Sequence, residues 1–142
     1  MRPASALSPA LALDYVRELS TDVLGGVALG ATGERLAGPE ALAAPARALL
    51  TAAGPAAELE ATGPAGCVCA VRSERHALVV ACGGFALPAL VRRDLRTALA
   101  ELEGRPLGAA PEPLPGAVDT ALQRAADALI STAQRGIRGS PA

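Results

Sequence analysis

Apolar residues fill the stretch GCVCAVRSERHALVVACG at 66–83 almost without interruption. Two runs, 67–71 and 77–82, flank the polar break Arg72-Ser73-Glu74-Arg75-His76, a pattern that predicts an antiparallel β-hairpin. On a strand Cys67, Cys69 and Val71 share one side and Val68 and Ala70 the other. In the second run Leu78, Val80 and Cys82 oppose Ala77, Val79 and Ala81. Neither side carries a polar group, so both faces of the hairpin must be covered. The rest of the chain has to supply two layers, or one layer and a partner.

Upstream, Ser8-Pro9 opens a helix, with Ser at the cap and Pro in the first turn. Its apolar stripe is Leu11, Tyr15, Val16, Leu19 and Val23, and Gly25-Gly26 is expected to stop it. A short strand at 27–29, a Thr32-Gly33 turn and a second strand at 34–37 form another hairpin. Residues 40–53 favour a helix with Leu42, Ala46, Leu49 and Ala53 on one side. Pro45 lies inside it and is expected to kink or restart the helix, because an interior proline costs ~3 kcal/mol. Residues 58–61 alternate as a brief edge strand with Glu58 and Glu60 on one face. Those charges either blunt an exposed edge or complement a second copy. A third helix spans about 87–102, its stripe formed by Leu87, Leu90, Val91, Leu95, Ala98, Leu99 and Leu102. Arg92, Arg93 and Arg96 lie off that stripe. Residues 105–116 have the composition of a Pro/Gly-rich linker, and 117–136 resume an amphipathic helix through Val118, Leu122, Ala125, Leu129 and Ala133. That last helix packs on its own domain or docks into a partner's groove.

Composition narrows the chemistry. Of 142 residues, 51% are hydrophobic but only 1% aromatic, so the core is built from Leu, Val and Ala and no platform of stacked rings is available for bases. A net charge of −1 lacks the basic excess of a nucleic-acid binder. All thirteen basic residues are Arg, which rules out a phosphate-binding loop ending in Gly-Lys and fits a GC-rich coding bias. No run approaches the ~18 apolar residues of a membrane span. Pro9 and Asp14 interrupt the resemblance of the N-terminus to an export signal. A cytoplasmic protein with reduced thiols is expected.

The candidates for chemistry read mostly as structure. Cys67, Cys69 and Cys82 could supply three metal ligands and His76 a fourth, but free cysteines on apolar strands are ordinary core residues. His76, without a neighbouring nucleophile, reads as a solvated turn residue. The glycine pairs match no dinucleotide or phosphate fingerprint and read as turns and helix stops. Arg92, Arg93 and Arg96 form either a solvated face or contacts to an acidic partner, an arginine finger included. No catalytic residues, cofactor or metal site can be assembled.

The order is helix–strand–strand–helix–strand–strand–strand–helix, followed by a linker and a further helix: an α+β chain. That order, with the segments GGVALGATGERLAG, GCVCAVRSERHALVVACG and LPALVRRDLRTALAELEG, resembles the roadblock (dynein light-chain) family, particularly its small actinobacterial members. The resemblance spans 9–104. It implies a five-stranded antiparallel sheet with the first and third helices on one face and the middle helix on the other. It further implies a homodimer with paired middle helices and joined edge strands. The dimer or partner interface would then comprise Leu42, Ala46, Arg47, Leu49, Leu50, Ala53, Glu58, Leu59 and Glu60. A second subunit would complete the thin cover over the hairpin.

The function so implied is that of a non-catalytic regulator or scaffold that binds a small Ras-like GTPase, near a membrane-associated sensor complex, by positioning the GTPase's own residues. The competing reading is a small-molecule-sensing or interaction module without a GTPase. Enzymatic activity has the least support, and neither nucleic acid nor direct membrane insertion is expected.

Overall fold

Nine elements follow one another in the computed structural model, which describes residues 7–104 and 120–138. They are α1 (Pro9–Leu19), β1 (Val23–Gly30), β2 (Arg35–Ala37), α2 (Glu40–Ala52), β3 (Glu58–Gly63), β4 (Gly66–Arg72), β5 (His76–Cys82), α3 (Pro88–Glu103) and α4 (Thr120–Arg138). The strands form one antiparallel sheet in the order β2-β1-β5-β4-β3. The expected linker at 105–116 lies outside the described residues, as do 117–119 of the last helix.

The doubly apolar hairpin is the middle of the molecule. Cys67 pairs with Cys82 and Val71 with Leu78 across β4 and β5. Cys67, Cys69, Val71, Leu78, Val80 and Cys82 pack under α1 and α3 with Ala12, Val16, Val91, Leu95 and Ala98. On the opposite face Val68, Ala70, Val79 and Ala81 pack with Leu42, Ala46 and Leu49 of α2. A strand buried on both faces can have no polar alternation, which is what the residues show.

The second layer is completed from within the chain. Ala125, Ala126, Leu129, Ile130 and Ala133 of α4 are buried in the same cluster as α2 and the sheet. The second copy expected to roof this face is therefore not required: α4 covers what α2 leaves open. Of the two placements left open for the last helix, it takes the one on its own domain.

Local rules fail at the first helix. α1 ends at Leu19, and Val23, Gly25 and Gly26, expected in or beyond the helix stop, belong to β1. The turn is made instead by Asp22, whose φ of 67° reverses the chain; Asn and Asp tolerate this region better than other side chains. The glycines then serve packing, since a Cβ on Gly26 would sit 2.9 Å from Val80 Cγ1. α2 runs continuously through Pro45, so the helix is not restarted there.

Candidate functional site

Three polar clamps position α3, and they account for much of what the sequence left as candidate chemistry. On the side toward α1 the hydroxyl of Ser20, which caps α1, donates to Asp94 Oδ2 at 2.7 Å, and Asp94 is buried. On the side toward β3, Arg92 donates from Nε to Glu60 Oε1 at 2.9 Å and from Nη1 to Glu58 Oε1 at 3.3 Å. Arg96 Nε lies 3.1 Å from Glu58 Oε2 without hydrogen-bond geometry, so it is paired by charge alone. At the end, Glu103 accepts from the Ser73 hydroxyl and sits 2.8 Å from His76 Nδ1.

These contacts revise several expectations. Glu58 and Glu60 meet Arg92 and Arg96 of their own chain, so the carboxylates expected to blunt an edge or face a second copy, and two of the three arginines expected to face solvent or an acidic partner, are engaged within the fold. The alternation of β3 explains it: Leu59 and Ala61 enter the α2/α4 layer while Glu58 and Glu60 turn toward α3. Arg93 is the exposed member, its side chain 63% accessible and 3.6 Å from Asp94. His76 is a half-buried partner of Glu103 rather than a solvated turn residue. Leu42, Ala46, Leu49, Ala53 and Leu59 of the expected interface are buried within the chain. Leu50 is half-buried and Arg47 is exposed.

The three cysteines are free and buried, as a core reading requires. Hydrogen bonds from Cys69 and then Cys82 favour the thiolate at Cys67 against the cost of burial. The same hydrogen bond to Cys67, followed by burial, pushes Cys69 and Cys82 up. Among the described residues no group of His, Cys, Asp or Glu is placed to hold a metal ion, and none of the helices is long and apolar enough to cross a membrane.

Residues that the sequence did not mark as a site form a conspicuous exposed apolar surface. Phe85 is 87% exposed, with Leu87 at 62%, Leu19 at 54% and Leu90 at 43%. Together with Ser20, Val91 and Arg93 they line a depression of about 140 Å³ between the end of α1 and the start of α3. The loop carrying Phe85 is held by Asp22, which accepts from Phe85 N–H at 2.9 Å through Oδ2 and from Gly83 N–H at 2.9 Å through its carbonyl. Leu87 and Leu90 had been expected in the buried stripe of α3, yet they precede the part of the helix that rests on the sheet. The available signal was the chain's one phenylalanine standing in a Gly-Gly-Phe loop.

No family model matches the chain, and no characterised protein matches it in sequence. Similar solved structures include the following two. A Roadblock/LC7 domain from Streptomyces avermitilis superposes with a TM-score of 0.58 at 14% identity, covering 70% of this chain and 97% of that one. MglC from Myxococcus xanthus superposes with a TM-score of 0.49 at 15% identity, covering 66% and 95%. The sheet order, the two helical layers and the first of these superpositions agree: the chain has the roadblock/LC7 fold.

Proposed function

We propose that the protein is a non-catalytic roadblock-type regulator or scaffold that binds a small Ras-like GTPase and modulates its nucleotide cycle. The observation that carries this reading is the exposed cluster of Phe85, Leu87, Leu90 and Leu19 beside Arg93. Monomeric domains rarely expose several large apolar side chains together without a partner, and an aromatic with an adjacent Arg is a common composition of a binding centre. The fold supports the same reading. Two copies of the chain would pair through the outer edge of β3, since α4 already lies beside α2.

The test is co-purification and nucleotide turnover. Candidate small GTPases loaded with GDP or a GTP analogue are passed over the immobilised full chain, and GTP hydrolysis and nucleotide release are followed with and without it. Binding that depends on the nucleotide and is lost in Phe85→Asp supports the reading. No binding and unchanged turnover across the candidates count against it.

A further inference from the structure

At the opposite end of β5 from Phe85 lies a polar cleft of about 460 Å³. Its walls are the β1–β2 turn, the C-terminal half of α2, and the β4–β5 turn. Arg47, Arg72 and His76 are among them, and no acidic residue is. The whole chain carries 14 Asp and Glu against 13 Arg, so a wall with two arginines and no carboxylate departs from its average surface; the nearest carboxylate at the β1–β2 turn, Glu34, is engaged by the N–H and hydroxyl of Thr32.

The two arginines have different tasks. Arg72 is spent on structure: Nε donates to Ala56 O at 2.8 Å, Nη1 to Leu50 O at 3.1 Å and Nη2 to Gly54 O. Those carbonyls lie in the last turn of α2 and just beyond it, where the helix end is partly negative. Arg72 thereby cancels a charge that would repel an anion. Arg47 uses only Nε, which donates to Gly33 O at 2.6 Å. That bond pins the guanidinium over the turn, and no described residue takes either Nη.

A guanidinium anchored through Nε and free at both Nη atoms retains a donor fork for an oxyanion. Thr51 follows Arg47 by four residues on the same helical face and brings a hydroxyl to the cleft. His76 turns Nδ1 to the Glu103 carboxylate, so Nε2 of the neutral ring is an acceptor and can meet a hydroxyl of the ligand, not its oxyanion. No Phe, Tyr or Trp ring lines the space, so it lacks the platform on which nucleobases usually stack. The volume falls in the range of small-molecule sites, roughly 300–1,000 Å³, and exceeds what a lone phosphate fills.

We infer that this cleft binds a small-molecule oxyanion, a phosphate ester or a polycarboxylate, with Arg47 as its principal anchor. The site is independent of the GTPase reading, sharing no residue with the Phe85 cluster.

Backbone amide shifts of the ¹⁵N-labelled full chain provide the test. Sodium pyrophosphate and citrate are titrated separately at constant ionic strength maintained with sodium chloride, with glycerol as the uncharged control. Saturable shifts confined to 30–33, 47–54 and 72–77 are expected. Arg47→Gln should weaken binding by about tenfold or more, the loss of a charge-assisted pair. Thr51→Val should weaken it less, and Arg17→Gln on α1 should leave it unchanged. Saturation by pyrophosphate alone identifies a phosphate ester, and by citrate alone a polycarboxylate. Shifts that do not saturate, that spread over all arginines, or that persist unchanged in Arg47→Gln overturn the assignment.

Discussion

The guanidinium of Arg92 lies 3.3 Å from the buried carboxylate of Glu58, joining α3 to the outermost strand of the sheet. Glu58 faces Arg96 as well and is 3% accessible at its side chain. Removing one member of a buried ion pair leaves the other uncompensated.

Glu58→Ala should therefore destabilise the fold by about 3 kcal/mol. Glu60, whose side chain is 32% accessible, should cost less than about 1 kcal/mol when replaced by Ala. Urea denaturation of both variants decides the order. Equal effects would show that the buried carboxylate has no special weight.

Arg72 should be a stability residue rather than a ligand residue. Arg72→Met keeps the stem but removes three donors from carbonyls at the end of α2, and about 1–3 kcal/mol should be lost. Hydrogen exchange should accelerate first in the last turn of α2.

α4 should act as an integral part of the core. Leu129→Ala removes a side chain that is 1% exposed and should cost about 2–5 kcal/mol. Truncation before Thr120 bares the apolar sheet face beside α2 and should drive self-association, read by light scattering at several concentrations. A truncated chain as stable and as small as the intact domain would show that α4 is dispensable.

Alkaline pH should expose the thiol cluster. Cys69 and Cys82 have their pKa values raised in the fold, first by the hydrogen bond to Cys67 and then by burial. Their stabilisation is complete below the unfolded thiol pKa, about 8.5, and is lost as pH rises above it, because the unfolded chain releases protons that the fold retains. With no lysine in the sequence, no lysine titration overlaps this window. Denaturation midpoints should fall from about pH 8.5 upward, and the fall should flatten in the Cys69→Ala/Cys82→Ala variant.

Strand and helix identity was legible wherever a local pattern decided it. The runs around Arg72–His76 could only be a hairpin covered on both faces, and the stripe from Val91 to Leu99 could only be a helix lying on apolar ground. The order of elements follows from such short-range periodicity, and the roadblock-type arrangement from the family resemblance that this order and its segments carry. Val23 was misplaced because its spacing also continued the stripe of α1, and only pairing with Cys82 across the sheet makes it a strand residue.

What tertiary structure alone decided are relationships between residues distant in sequence. Nothing local tells Glu58 that its counter-charge is Arg92, 34 positions away, or that α4 rather than a second chain covers the sheet beside α2. Apolar burial is non-directional: an oily face states that it needs a cover, not which segment provides it. The same limit hid Phe85, whose exposure depends on where α1 and α3 end against each other, and Arg47, whose free Nη atoms depend on the bond its Nε makes to a turn fourteen residues upstream.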